Sequence, residues 1–593
     1  MAIKREPVQI VEIDIDFCTL TYGTGSCTAV LGTDSQRKCF NSWNTCPVKT
    51  SFVKGSLTLR FINSRSNLPI DGNIYFPTLD SVSAFSSSVN IAGSNPKLGQ
   101  LGKRGKVTVQ LQDFPYHDRY TDKYADERVS GDAQVDEGGY NPVDRGTFWT
   151  KFKKRHPNYA GRPLRVKNAY ILEDGTLSVE QTRHFIITDL VGPSDNNSVT
   201  LEAKDILSLA EKQAAVAPKA SNGQLASDIT TANSISFDLT PAGIGDDEYP
   251  ASGYAAMGRE LVQYTRSSDT ITLTARGEES TEAKEHKTGA TFQQALRYTN
   301  QNIDDVVTDL LTNYTSIDPT FIPSADYAAE IDVWAPNVLI NTTIVKPTSV
   351  AELLGEMSVL GTSIWWDDVA QEVKLAQNKP LDFQQVPTAI SDDDSIKAID
   401  QKDRDEERIT QVHFYSVQTD PFGSVKDKSN YDRINVTLDP DAQNVNNYNE
   451  TRIREVFCRW LNVGNDIAVN LASSRLLKRF NTAPVYTTIT LDAKDISIGL
   501  FDILNVTSRV ITDGAGKPLA SKLQVVEKTE TRSGHEVKIV AQSYNYPDAR
   551  GFIMVNTAPD YSSATEEEKN GGCYIIAAAN SSFPDGREAY QIS

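Results

Sequence analysis

The chain has 593 residues, too many for one hydrophobic core and enough for about three to five domains. Apolar residues make up 39% and charged residues 23%, an ordinary globular balance that excludes disordered and collagen-like classes. The formal charge of −19 repels polyanions and argues against a sequence-specific nucleic-acid binder. An acidic wall along which DNA slides stays open, as does a surface that is acidic only for solubility.

No apolar stretch suited to a signal peptide follows Met1 to Pro7. The longest apolar run considered, Tyr574 to Ala579, is far short of the roughly 18 residues of a membrane helix. Synthesis in the cytoplasm is therefore expected. Thiols stay reduced there, so clustered cysteines point to metal rather than to disulfides.

In chain order, Val11, Ile13, Ile15 and Phe17 alternate with Glu12, Asp14 and Asp16, the pattern of a strand with one buried face. It runs into Cys18. A cysteine-bearing loop continues to Cys46, and Ser56 to Phe61 returns as a second strand. From Ile70 to Leu207 the chain reads as a β domain, with strands at Lys106–Leu111 and His184–Ile187. A polar, aromatic stretch from Asp113 to Asn158 interrupts it and ends in a short amphipathic helix after Arg145. Phe148, Trp149, Phe152 and Tyr159 there read as a face packed on its own domain, with a partner-binding patch as the alternative.

Small polar residues from Ala214 to Ala232 read as a linker or long loop. A second β region spans Tyr254 to Ala275. Ile303, Val306, Val307, Leu310 and Leu311 share a helix face, as do Val350, Leu353, Leu354, Met357 and Leu360. Ser363–Val369 and Glu372–Leu375 form a hairpin pattern, and Asn470–Phe480 a long helix. Strands return at Val485–Leu491, Asp502–Val506, Gln524–Glu527 and Val537–Ala541. Thr200-Leu-Glu-Ala-Lys-Asp-Ile206 reappears as Thr490-Leu-Asp-Ala-Lys-Asp-Ile496. Two related barrels would explain the echo, and so would chance.

Several motifs fail. Ile511–Pro518 imitates a phosphate loop, with Ile511 in place of its first glycine and Pro518 in place of the magnesium-binding hydroxyl. His535-Glu536 opens like a zinc-protease motif, but Ile539 replaces the second histidine. Gly243 and Gly245 lack the third glycine of a dinucleotide loop, and Glu248 stands there. Asp392–Asp394 lack the glycine and terminal glutamate of a calcium loop. No catalytic residue is assigned.

Four of the six cysteines, Cys18, Cys27, Cys39 and Cys46, lie close together in sequence, while Cys458 and Cys573 stand apart. Four thiolates can hold a tetrahedral zinc or the irons of a cubane. The Cys-x8-Cys and Cys-x6-Cys spacings are wider than a zinc knuckle, yet spacing alone does not choose iron over zinc.

The segment Cys18-Thr-Leu-Thr-Tyr-Gly-Thr-Gly-Ser-Cys27, continued by Lys38-Cys39-Phe-Asn-Ser-Trp-Asn-Thr-Cys46, resembles the cysteine module of tail-tip hub proteins of lambda-like and related long-tailed (siphovirus) bacteriophages. The resemblance continues through Leu101–Val109, Asp118–Arg128, Arg145–Trp149, Tyr159–Leu164, Gly258–Arg266 and Thr281–His286, covering most of residues 8–290. In lambda-type proteins the module sits at the C-terminal end, whereas here it opens the chain. Past about residue 300, domain order carries the resemblance more than motifs do.

The resemblance implies a [4Fe–4S] cluster on Cys18, Cys27, Cys39 and Cys46, with zinc as the alternative; its place beside a strand of a β-rich chain, with no flavin or second cluster motif nearby, points to a stapling rather than a redox role. It implies a multidomain, mainly β fold with α+β insertions, in which two hub-type β-barrels follow an N-terminal iron–sulfur module. The expected layout is a cluster module at 1–65 and a first barrel at 66–213 with an insertion at 113–183. A linker and the first part of a second barrel would occupy 214–295, α+β insertions 296–480, return strands 481–545 and an extension 546–593. Strands near Val107–Leu111, Phe185–Asp189, Thr270–Ala275 and Val485–Leu491 would build a ring.

The implied function is a structural, non-enzymatic hub of the tail tip or baseplate. Its implied partners are two further copies in a homotrimer, the distal tail protein, the tape measure protein and a central fibre or receptor-binding protein. Genome DNA would pass through its channel during ejection, without sequence-specific contact. A tail-associated peptidoglycan hydrolase is the alternative, and an iron–sulfur enzyme a more distant one.

Overall fold

The computed structural model describes residues 6–29, 39–64, 70–83, 86–91, 101–116, 146–230, 235–381, 385–444, 447–495, 497–532, 536–544, 546, 560–566 and 569. Asp118–Arg128, Arg145, Lys38, Ile496, His535, Cys573 and Tyr574–Ala579 lie outside the described residues. The described chain is mainly β, with helices gathered in its middle.

The first sheet starts with β1 (Glu6–Cys18), β2 (Lys54–Ile62) and β3 (Leu79–Val82). A three-serine strand, β4 (Ser86–Ser88), leaves it, and β5 (Lys106–Gln112), β6 (Pro163–Ile171), β7 (Leu177–Val191) and β8 (Ser198–Lys204) complete it. The order is β2-β1-β6-β7-β8-β5-β3, antiparallel throughout. The two strands flanking the cysteine loop thus belong to the same sheet as the strands of the expected first barrel. The cysteine segment is an excursion from that sheet.

Alternation on β1 explains both of its faces. Val11, Ile13 and Ile15 enter the core with Phe61, Val109, Leu164 and Leu201. Glu12 and Asp14 face the other way and meet cations on neighbouring strands. Arg165 Nε lies 2.9 Å from Glu12 and its Nη2 2.8 Å from Asp14, while Lys167 Nζ lies 2.9 Å from Glu12. Cross-strand pairs of this kind each contribute about 0.2–1 kcal/mol. Burial alone would raise the Glu12 carboxyl, but the hydrogen bonds and charges of Lys167 and Arg165 hold it below the usual range.

Helix α1 (Phe148–Arg155) closes the core of this sheet. Trp149 stacks on Phe61 at 5.2 Å and Phe148 on Phe114 at 5.0 Å. Its N-terminal amides are capped from a distance: Trp149 N donates to Asp113 Oδ1 at 3.0 Å and Phe148 N to Phe114 O at 3.0 Å. The aromatic run therefore packs on its own domain.

The second sheet has the order Gln224–Leu225, Ser236–Thr240, Thr270–Arg276, Glu260–Ser267, Ser252–Met257, Phe292–Gln301 and Ile340–Ile344. The described residues of this linker or long loop pack against the rest of the chain. Val216–Ala217 pairs with Thr348–Ser349, and Ala215, Ala217, Leu225 and Ile229 are buried. Its small side chains suit close backbone approach.

Helices Ile303–Asn313 and Val350–Glu356 bury the faces read from their periodicity, and the hairpin Thr362–Asp367/Glu372–Gln377 packs with them. The long helix starts at Asp466 and runs to Phe480. The region also holds elements that the sequence does not announce, among them the helix Ser324–Trp334 and a three-stranded sheet with Gln411–Gln418 at its centre.

The strands after residue 480 join two earlier ones in a third sheet, in the order Thr388–Ser391, Ile503–Thr507, Ser521–Arg532, Glu536–Ser543, Val485–Asp492 and Ile396–Asp403. Val485–Asp492 pairs with Ile396–Asp403 and Glu536–Ser543, not with strands of the second sheet. Val107–Leu111 and Phe185–Asp189 share the first sheet, Thr270–Ala275 lies in the second and Val485–Leu491 in the third. Both echo segments are a strand running into a 3-10 turn, Ile206–Leu209 in one and Ala493–Asp495 in the other. β4 crosses to the third sheet and pairs Ser86, Ser87 and Ser88 with Thr529, Lys528 and Glu527.

Candidate metal centre

Cys18 is the last residue of β1, opposite Lys54 of β2. Past it the chain turns tightly: Thr24 N donates to Thr21 O and Cys27 N to Thr24 O, both at 3.2 Å. Gly23 sits at φ +67°, where an L side chain is strained, and a Cβ there would stand 3.2 Å from Ala29 O.

Cys39 and Asn41 bring the far limb of the loop back. Cys18 N donates to Asn41 O at 2.7 Å, and Asn41 Nδ2 donates to Cys18 O at 2.7 Å. Asn41 is buried and left-handed, φ 54°, a conformation its short amide side chain tolerates. Cys39 Sγ lies 3.9 Å from its Oδ1. A 3-10 turn, Trp43–Thr45, then delivers Cys46, whose thiol donates to Val48 O at 3.3 Å. The loop rests on α1: Arg155 covers the Phe40 ring at 3.8 Å, and Asn44 Nδ2 donates to Lys154 O at 2.8 Å.

The four sequence-predicted cysteines share one neighbourhood, and none is in a disulfide. Cys39 is buried with Tyr22 and Ala29, and Cys27 and Val48 pack against them. Burial pushes the Cys46 thiol up, and the nearby Cys18 and Cys27 add to the shift. Four soft thiols in a partly apolar pocket are the donor chemistry of a zinc or iron–sulfur site. Among the described residues, no three Cys, His, Asp or Glu side chains stand close enough as they are to hold one ion.

Cys458 lies apart, fully buried beside Trp460 and Leu461, and burial pushes its thiol up to about 12. The roles of Asn41 and Arg155 were not read from the sequence. Asn41 stands within the Lys-Cys-Phe-Asn stretch, and that was the available signal.

The failed motifs have structural explanations. Asp269 accepts hydrogen bonds from Gly243 N at 2.7 Å and Gly245 N at 2.8 Å, so these amides are satisfied within the chain. Ile511–Pro518 is a turn in which Asp513 Oδ1 accepts from Ala515 N and Lys517 N, both at 2.9 Å. Asp392 accepts from Arg509 N at 2.8 Å, and Asp394 pairs with Lys494 at 2.8 Å.

No protein-family model matches the chain, and no curated protein matches it. Among solved structures, the chain is similar to a tail protein from Neisseria meningitidis MC58, with 10% identity, 78% of this chain and 91% of that one covered, and a TM-score of 0.36. The 43 kDa tail protein of prophage MuSo2 from Shewanella oneidensis is 9% identical, with 78% and 96% covered and a TM-score of 0.34. Prophage tail protein gp18 from Listeria monocytogenes EGD-e is 8% identical, with 79% and 90% covered and a TM-score of 0.33.

Proposed function

We propose that the chain is a structural hub at the tip of a bacteriophage tail, stapled by a [4Fe–4S] cluster on Cys18, Cys27, Cys39 and Cys46. The observation that carries the reading is the meeting of the two cysteine pairs at the end of β1, held by the reciprocal Cys18–Asn41 bonds. It joins the resemblance of those same residues to tail-tip hubs. The neighbours named above are tail proteins too, which agrees with the reading without carrying it.

When bound, the cluster supplies thiolate–iron bonds that link both limbs of the loop, so that metal-binding free energy becomes folding free energy. The loop would have to draw its four thiols together around the metal. The surrounding β-rich units would form a trimeric ring between the distal tail protein and a central fibre or receptor-binding protein, next to the tape measure protein. An acidic channel wall would let DNA pass, since like charges gain nothing from counterion release.

Two measurements test this. Purified protein should contain iron and acid-labile sulfide, and stoichiometric zinc without sulfide overturns the cluster. Electron microscopy of the intact particle should place three copies on the tail axis. Six copies, or a position away from the axis, overturns the hub.

A further inference from the structure

A cleft of about 560 Å³ lies where the first sheet, the Thr362–Gln377 hairpin and the third sheet meet. That size is within the roughly 300–1,000 Å³ of small-ligand sites, which favour such junctions. Asn168 and Tyr170 of β6 and Gln181 of β7 form one wall, Trp365 and Asp367 a second, and Lys528 of the strand Ser521–Arg532 closes the third.

The walls are held by contacts outside the open space. Trp365 stacks on Phe501 at 4.9 Å and stays partly exposed. The next indole, Trp366, is buried, and its Nε1 donates to His184 O at 3.3 Å, tying the hairpin to β7. Asn168 and Gln181 are directly paired across β6 and β7, and Asn168 Nδ2 donates to Gln181 Oε1 at 3.3 Å. Two side-chain amides therefore stand side by side on a rigid sheet, facing an aromatic wall.

The lining selects among ligand classes. Lys528 is its one basic side chain among the described residues, and burial lowers its pKa. Phosphates and other anions would instead meet Glu180 and Asp367. A purely apolar ligand would strand the amides, the carboxylates and the hydroxyls of Ser87 and Ser497. A ligand that carries both donors and acceptors and also has an apolar face matches all of them. Amides supply both donor and acceptor, carboxylates accept from hydroxyls, and an aromatic plane receives a C–H face.

The geometry points to a saccharide site: this cleft binds an uncharged oligosaccharide, with Trp365 and Tyr170 as stacking surfaces and Asn168, Gln181 and Glu180 as hydroxyl partners. The site is separate from the cysteine loop and does not depend on the cluster. Because three parts of the chain contribute walls, the bound sugar would also stabilise their union.

The test uses the full chain and a panel of uncharged hexose and N-acetylhexosamine trisaccharides, with choline and glucose 6-phosphate as charged controls. At least one trisaccharide should change tryptophan fluorescence saturably and raise the melting temperature. Gln181→Ala, at a partly exposed position, should weaken that binding about tenfold while the free protein stays folded, and Trp365→Ala should weaken it at least as much. No response to any trisaccharide, unchanged affinity in Gln181→Ala, or stronger binding of either charged control overturns the proposal.

Discussion

Arg183 of β7 and Glu530 of the strand Ser521–Arg532 form a buried ion pair, Nη2 to Oε2 at 2.6 Å, between the first and third sheets. The same guanidinium reaches Asp368 of the hairpin at 2.9 Å. One side chain thus joins three parts of the chain that are distant in sequence. Arg183→Ala would leave Glu530 buried without this cation, at a cost of about 3–5 kcal/mol. Replacing both partners by Arg183→Met and Glu530→Leu should cost less than Arg183→Ala alone. Denaturant melts of the three proteins check the order.

Trp149 is fully buried between Phe61, Phe148 and Phe152. Trp149→Ala should destabilise the first sheet by about 3–5 kcal/mol, because the cavity cannot fully collapse. Trp149→Phe should cost less. Limited proteolysis between β1 and β8 would report the loss locally, and an unchanged cleavage rate in Trp149→Ala would contradict this packing.

Cys18→Ser, Cys27→Ser, Cys39→Ser and Cys46→Ser should each reduce bound iron and sulfide and loosen the loop, as the proposed stapling requires. Cys458→Ser should leave the iron content unchanged, since that thiol is packed in a separate core. Iron analysis of the five variants checks both statements, and iron lost only in Cys458→Ser would reverse the assignment.

Burial holds His156 and His184 down to about 4 from 6.5. Between those values the unfolded chain binds more protons than the folded one, so stability rises with pH across that window. It is complete above the unfolded value and declines as the pH falls from 6.5 towards about 4. Melting temperature should therefore drop between about pH 7 and pH 4.5, and His156→Gln should flatten the decline. A melting temperature that rises on acidification would contradict the sign.

Local pattern was legible wherever one face decides the element. Val11, Ile13 and Ile15 announce β1, and Ile303 to Leu311 announce a helix, because burial follows the period of the backbone. The helix Ser324–Trp334 was not legible: Tyr327, Ile331 and Trp334 are buried, but Ala328, Ala329 and Val333 blur the contrast between faces. Sheet membership was not legible either. Ser86–Ser88 has no strand pattern of its own, and its pairing depends on the edge offered by Glu527–Thr529. At the cysteine loop the four thiols could be read from their spacing. The bonds of Asn41 to Cys18 could not, since an amide in sequence does not say which carbonyl it will reach.

The pairing of β4 has a consequence for the timing of biosynthesis. Ser86 and Glu527, which meet through a 3.4 Å side-chain hydrogen bond, are 441 positions apart. At the usual pace of a ribosome, on the order of a minute passes between their emergence. Throughout that interval the three serines wait without their partner strand, while the sheet beside them can already fold. An unpaired edge held open for so long invites annealing to a neighbouring nascent chain, so the yield of correctly closed protein should depend on how crowded the polysome is.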